Sequence, residues 1–443
     1  MTLSSDQLIA YLQETHPADA KAREFYVQLS QASAAEQGCA MEDAPTIRSA
    51  IEKIAQQEST WALLLASQLW RYSCQTITDF ENHRQLAQFA GSSKKFSKIP
   101  IEEHWALARE LIQKYPNPAL YIILGNASRY LHQYAEAENA YLEGIHRYPD
   151  DPFLKLRLAN LYLATYRIEQ AHRLLRILQA DYSYAREMLF IAPANQQAQI
   201  SVESLPDLTA PGAQMVWLVA ADPAYIEKYA LRWASSVQKH AGQGLHLHLH
   251  VIAERNNELS KTTRHQLQAI AGLTMTERMV DLSGASANQR KALYSSERYL
   301  FLAEMLRKYA VPMVVSDIDV ECVKDPRELL TRMGESDLGY THFRNTIEAW
   351  ERYAATALII KPTQASMNFF RKMADLLVTA INTHPQPWFI DQIALFRLIE
   401  EFPTGLRTAY LEHILTESNP PSKTGYFKIL HASWCTEERV GAS

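Results

Sequence analysis

The chain has 443 residues, 47% of them hydrophobic and 21% charged, a balance that sustains more than one buried core and excludes a disordered or fibrous protein. Its 44 Lys+Arg against 49 Asp+Glu leave a formal net charge of −5 without any like-charge run, so nothing favours nucleic acid or an anionic membrane surface. The cysteines Cys39, Cys74, Cys322 and Cys435 lie too far apart for a metal knuckle or a disulfide scaffold, which points to a reducing compartment.

Met1–Leu12 carries neither a basic leader nor a long apolar stretch, and no apolar run approaches the roughly 18 residues of a membrane span. A cytoplasmic protein is expected. Along the chain, apolar positions recur at three- and four-residue spacing over 47–72, 102–115, 119–147 and 152–180, predicting helices. Only Gly38, Gly91, Gly125 and Gly144 of the 14 glycines precede residue 212, and glycine-poor sequence suits helices. The segment 205–212 (LPDLTAPG) breaks any continuing helix with two prolines and a glycine, placing a boundary between an all-α part, 1–205, and a second part, 212–443. Short β-rich runs follow at 215–220, 245–253, 311–315, 357–360 and 427–430, with helical patterns between most of them, among them 224–239 and 294–309. Strands alternating with helices define an α/β fold class.

The helical part repeats. Residues 118–151 align with 152–185 at a period of 34. Leu124, Gly125, Ala137 and Tyr141 in the first copy correspond to Leu158, Ala159, Ala171 and Leu175 in the second, small residues where two helices approach and large ones where they fill the gap; Tyr121 and Pro149 complete the pattern in the first copy and Tyr162 in the second, with Ser128 and Ser183 as departures. This pattern resembles the tetratricopeptide repeat over about residues 84–190, clearest over 118–185. The resemblance implies a helical solenoid that binds a peptide or protein partner in its groove, beside the plain alternative of a scaffold that only packs.

The strongest chemical signal is Tyr309–Cys322, YAVPMVVSDIDVEC. An apolar run suited to a buried strand ends in Ser316-Asp317-Ile318-Asp319. In extended backbone residues two apart point the same way, so Asp317 and Asp319 can present two carboxylates at the strand's carboxyl end, where ligand sites of α/β sheets collect. Two hard oxygen anions suit Mg²⁺ or Mn²⁺, and such an ion can steady a departing diphosphate. By contrast the alternating LHLHLHV at 245–251 places His246, His248 and His250 on one strand face; no Cys or carboxylate accompanies them in sequence, so they are expected to line the sheet beneath a helix rather than to hold metal.

With its order of strand, DxD, short helix, two strands and a helix opened by Trp388-Phe389-Ile390-Asp391-Gln392, the second part resembles the GT-A-type nucleotide-sugar glycosyltransferases, above all the glycogenin and lipopolysaccharide galactosyl- and glucosyltransferase group. The resemblance covers about 214–435 and implies a mixed sheet flanked by helices. It assigns Ala221, Asp222 and Tyr225 to the nucleotide, Arg298 to the donor, Asp317 and Asp319 to Mn²⁺ (or Mg²⁺) and the sugar diphosphate, His431 to the metal, and Asp391 to the sugar or acceptor. A UDP-sugar is the donor expected first. The family's glycine and lysine after the late histidine are absent; Arg298, Lys428 or Arg439 remain as candidates to grip the diphosphate. If the reaction inverts, Asp391 or Glu348 could take the acceptor proton. Two other readings stand beside this one. One is a non-catalytic repeat-based adaptor with a degenerate transferase domain. The other is a haloacid-dehalogenase-type phosphatase, whose nucleophile motif is also a DxD after a strand.

Overall fold

In the computed structural model the described residues are 101–114, 116, 118–179, 205–210, 212–255, 257–342, 349–383, 389–401, 405–411, 414–416 and 425–430. The helical expectation over 47–72 lies outside them. The chain divides into two units, Met1–Leu189 with Asn345–Ala349, and Phe190–Arg344 with Trp350–Ser443.

The first unit contains α1 (Ile101–Lys114), α2 (Pro118–Tyr130), α3 (Tyr134–Arg147), α4 (Pro152–Ala164) and α5 (Ile168–Leu178). The helix pairs α2–α3 and α4–α5 begin at Pro118 and Pro152, in step with the sequence period. Their closeness depends on missing side chains: a Cβ on Gly125 would come within 2.2 Å of the Tyr141 ring, and one on Gly144 within 2.8 Å of Leu154. Ala137, Ala159 and Ala171 are fully buried at the same helix contacts. Tyr141 reaches past Gly125 to donate to Asn126 Oδ1 at 2.5 Å, which satisfies a buried amide. Asp151 caps α4 by accepting from Leu154 N at 3.0 Å, with Pro152 at the first helical position where its missing N–H costs nothing.

The second unit runs β1 (Met215–Ala221), α6 (Pro223–Ala241), β2 (Leu245–Ala253), α7 (Lys261–Gln268), β3 (Leu273–Met279), α8 (Ala287–Leu300), α9 (Leu302–Tyr309), β4 (Met313–Ser316), β5 (Val320–Cys322), α10 (Glu328–Met333), β6 (Leu338–His342), β7 (Tyr353–Ile360), α11 (Gln364–Thr383), α12 (Ile390–Glu400), β8 (Thr408–Tyr410), β9 (Leu415–Thr416) and β10 (Phe427–Ile429). Seven strands form one sheet in the order β3-β2-β1-β4-β7-β6-β8. The four from β3 to β4 are parallel, β7 is antiparallel to both β4 and β6, and β8 is parallel to β6. A smaller sheet, β5-β10-β9, follows directly from the DxD segment. This is a mixed, mostly parallel α/β sheet flanked by helices, consistent with a GT-A-like fold.

Helices cover both sheet faces, so β1 and β2 are buried along their whole length. Met215, Trp217, Val219, Leu247, Leu249 and Val251 pack with Ile226 and Trp233 of α6 on one face. Ala220 and Ile252 pack with Leu293 of α8 on the other. Each large apolar side chain buried this way contributes about 1.5–3 kcal/mol. The helix expected over 294–309 is in fact two, broken at Phe301, whose backbone leaves the helical region (φ −113°, ψ 6°) while its ring packs on His250 at 4.5 Å. Among the described residues no helix is long and apolar enough to cross a membrane.

Candidate functional site

Parallel strands deliver their carboxyl ends to one edge of the sheet. There β1 ends at the buried Ala221 and turns into α6 through Asp222. Asp222 accepts from Ala224 N at 2.9 Å and from Tyr225 N at 3.3 Å, so its carboxylate caps the helix, with Pro223 at the first position. Tyr225 is 44% exposed and its ring meets that of Tyr229 at 5.6 Å. Partial burial, and next the negative charge of Asp319, push the Tyr225 hydroxyl pKa upward, which places Tyr225 in the field of the DxD segment.

The neighbouring strand β4 ends at Ser316, whose hydroxyl accepts from Trp217 Nε1 at 2.8 Å and donates to the Asp317 carbonyl at 2.8 Å. Asp317 N then donates to Thr356 O, and Asp319 O accepts from Leu430 N at 2.8 Å. The DxD backbone is thus held between β7 and the segment after β10, while the Asp317 side chain stays 32% exposed.

Arg298, from the last turn of α8, meets this edge from the other side. It is only 2% exposed. Its Nη1 pairs with Asp317 Oδ1 at 2.6 Å, and its Nη2 lies 3.4 Å from Asp391 Oδ2 and donates to Ala355 O at 3.3 Å. Tyr299 donates to the same carbonyl at 2.8 Å and fixes the end of α8 to β7. Burial works against the guanidinium charge, but Asp317, Tyr299 and Asp391 outweigh it and the Arg298 pKa is raised. Asp391, 5% exposed, is pushed upward by burial, which Arg298 counters in part.

Asp391 owes its position to an uncommon turn. Phe389, just before α12, has φ 60°, in the left-handed region that bulky residues avoid, and its ring packs on Trp350 at 5.1 Å. Such a conformation costs on the order of 1–3 kcal/mol and persists where the surroundings over-determine it. Asp391 sits in the first turn of α12, where Oδ1 accepts from Gln392 N at 3.0 Å, and Gln392 donates to Tyr353 O at 3.2 Å.

The electrostatics are lopsided. Burial first, and then the charge of Asp317, push the Asp319 carboxyl up to about 7. Asp317 and Asp391 pair with a single guanidinium and Asp319 lies within its field, a cluster of three carboxyl groups whose deprotonated forms a divalent cation would favour. Two aspartate side chains supply hard oxygen donors, the type that Mg²⁺ and Mn²⁺ take. Among the described residues no group of three His, Cys, Asp or Glu side chains stands ready to hold a metal, so such an ion would need ligands beyond Asp317 and Asp319.

The structure therefore brings together Arg298, Asp317, Asp319 and Asp391, with Ala221, Asp222 and Tyr225 along the same edge. Glu348, His431 and Arg439 lie outside the described residues. Lys428 sits on β10, opposite Glu321 in register. Sequence reading did not single out Tyr294, Arg290 and Glu254. Tyr294 donates to Glu254 Oε1 at 2.5 Å, and Arg290 Nη1 lies 2.8 Å from both oxygens of Glu254. This cluster ties the start of α8 to the residue after β2, and no local motif announces it. The sequence also showed no carboxylate near the three histidines, whereas the fold brings Glu297 to 3.5 Å from His250.

No protein-family model matches the chain, and no curated protein matches it. Solved structures do. The galactosyltransferase LgtC in complex with donor and acceptor sugar analogues is 20% identical over 46% of this chain and 75% of that one, with a TM-score of 0.35. The glycosyltransferase GlyE of Streptococcus pneumoniae TIGR4 is 18% identical over 45% of each chain, with a TM-score of 0.31. Mouse xyloside xylosyltransferase 1, in its apo form, is 11% identical over 46% of this chain and 87% of that one, with a TM-score of 0.29. At these scores the likenesses stand beside the geometry without adding to it.

Proposed function

We propose that the chain is a GT-A-type glycosyltransferase that moves a sugar from a nucleotide-diphosphate donor, a UDP-sugar first among them, to a protein or glycan acceptor. The observation that carries this reading is the pairing of Asp317 and Asp391 with one buried guanidinium, beside Asp319, at the carboxyl edge of a mostly parallel sheet. The domain occupies 212–443, and the helical part, 1–205, recruits the acceptor through its tetratricopeptide-like repeats.

In this reading Asp317 and Asp319 hold Mn²⁺ or Mg²⁺. His431, which follows in the chain directly after the residue bonded to the Asp319 carbonyl, is the further ligand, and an imidazole there favours Mn²⁺. When bound, the ion neutralises charge on the departing diphosphate. The protein's own groups prepare the site. Arg298, itself buried, pairs with both Asp317 and Asp391 and so holds the two side chains in fixed positions, the kind of preorganised charge that stabilises charge developing nearby. Asp391 faces the sugar or acceptor, and if the reaction inverts, Asp391 or Glu348 takes the proton from the attacking hydroxyl. Ala221, Asp222 and Tyr225 line the nucleotide side, Tyr225 offering its exposed ring as a stacking surface.

The test is donor binding. Thermal unfolding is followed with UDP-, GDP- and CDP-sugars, with and without Mn²⁺, beside a variant carrying Asp317→Asn and Asp319→Asn. A ligand at 100 times its Kd stabilises the folded state by about 2.7 kcal/mol. Metal-dependent stabilisation by one nucleotide class, lost in the variant, is expected. No response to any donor would sink the reading in favour of the adaptor.

A further inference from the structure

The histidines of β2 form part of a continuous chain of polar contacts. The parallel register sets His248 beside Thr274 and His250 beside Thr276, so imidazoles and hydroxyls of one sheet face interleave. His246 Nε2 lies 2.8 Å from Thr274 Oγ1, which lies 3.0 Å from His248 Nδ1. His248 Nε2 lies 3.0 Å from Thr276 Oγ1, which lies 2.8 Å from His250 Nδ1. At one end Ala210 N donates toward His246 Nδ1 at 3.4 Å. At the other, His250 Nε2 faces Glu297 Oε1 at 3.5 Å, and Arg278 Nη1 donates to the same oxygen at 2.7 Å. Glu297 is 1% exposed, and the three imidazoles no more than 6%.

The chain has a direction. A hydroxyl has one proton, and a neutral imidazole has one N–H. Each threonine lies between two ring nitrogens, so it satisfies both by donating to one and accepting from the other. Only two patterns do this throughout: every ring protonated at Nε2, or every ring at Nδ1. A mixed pattern leaves a buried proton or lone pair unmet, at the cost of an unsatisfied polar group. The two ends favour the same pattern. A backbone N–H faces His246 Nδ1 at 3.4 Å, which suits an acceptor there, and the Glu297 carboxylate lies 3.5 Å from His250 Nε2, an ion-pair separation rather than a formed hydrogen bond, which suits an N–H there.

Glu297 and Arg298 are consecutive on α8, about 100° apart around the helix axis. One anchors to β2 and β3 through His250 and Arg278, the other to β4, β7 and α12 through Asp317, Ala355 and Asp391. A short helix pinned in two directions by buried charges cannot roll.

We propose that the histidine–threonine ladder, with all three rings in the Nε2–H form and ending on Glu297, is a positioning element that locks the rotation of α8 and so holds Arg298 against Asp317 and Asp391. Its catalytic consequence rests on the transferase reading; its tautomers and its hold on Arg298 do not.

The experiment uses the full chain with ¹⁵N-labelled histidine and arginine at neutral pH, beside Thr276→Val, which cuts the ladder without altering any charge, and Thr276→Ser, which keeps the hydroxyl. NMR reads the three tautomers and the solvent exchange of the Arg298 Nε–H, a buried donor with no hydrogen-bond partner among the described residues. Expected are three Nε2–H rings in the unmodified protein, and exchange at Arg298 at least about tenfold faster in Thr276→Val but not in Thr276→Ser. Displaced supporting partners typically cost 10–100-fold in function, so with a responsive donor kcat should fall about tenfold in Thr276→Val while KM stays within about twofold. Any ring found charged or in the Nδ1–H form overturns the ladder. Correct tautomers with unchanged Arg298 exchange in Thr276→Val overturn the positioning role. An unmodified protein that turns over no donor refutes the transferase reading alone, since the spectra still decide the ladder.

Discussion

Acidification should loosen the second unit through two buried imidazoles. Burial holds His246 down at about 4 and His248 at about 3, the latter also through the neighbouring His250 and His246. Unfolded, both take a proton near 6.5. Between those values the unfolded chain binds more protons than the folded one, so their contribution is complete above about pH 6.5 and is lost as the pH falls. From pH 7 to pH 5 each imidazole costs about 2 kcal/mol, together about 4 kcal/mol. Asp319 works the other way: its folded carboxyl, raised to about 7, gains its proton over the same interval and offsets about 2 kcal/mol. The measurement therefore compares Asp319→Asn with the same chain also carrying His246→Gln and His248→Gln, by urea unfolding at both pH values. Carboxylates common to the two chains cancel. The histidine-bearing chain should lose about 4 kcal/mol more than its partner between pH 7 and pH 5. A difference under about 1 kcal/mol would mean that water or a counter-charge reaches these rings, and the argument from burial would fail.

Other outcomes follow from single groups. Replacing Arg298 by Met should destabilise the second unit by about 3–5 kcal/mol, because Asp391 would be left buried without its cation; urea midpoints at neutral pH check this, and they should recover in part when Asp391→Asn is added. If Asp317 and Asp319 hold Mn²⁺, calorimetric affinity should rise about tenfold per pH unit below about 7, where Asp319 must lose its proton to bind, and level off above it. Gly125→Ala should cost about 1–3 kcal/mol despite alanine's better helix propensity, since the new methyl meets a packed tyrosine ring; loss of helical circular dichroism on heating reports it. Asp222→Ala should cost about 1 kcal/mol by uncapping α6, with thermal unfolding as the readout.

What the chain discloses locally is whatever depends on neighbours in sequence. The apolar runs behind β1, β2 and β4, the Asp222-Pro223 start of α6, the small residues at the helix contacts and the Asp317/Asp319 pair were all legible, because burial of a strand, capping of a helix and i,i+2 geometry act within a few residues. The strand β3, LTMTERM, escaped notice because its Thr274 and Thr276 look solvent-facing until His246, His248 and His250 arrive beside them. The break at Phe301 was hidden because its ring packs against His250 of β2, a neighbour far away in the chain.

Charge pairing was the least legible of all. The resemblance pointed Arg298 at the donor, but nothing in the chain announced that it joins Asp391, 93 residues away, or that the adjacent Glu297 joins His250. A sequence shows which side chains can ionise, since that is intrinsic chemistry. Whether they do so depends on the solvent removed and the charges brought near, and both are set only when distant segments pack. Residue types alone therefore determined that this chain carries an α/β domain with a carboxylate pair at a strand end. The folded sheet decided that one buried arginine at the end of α8 joins Asp317 to Asp391 of α12, and that burial holds His246 and His248 neutral.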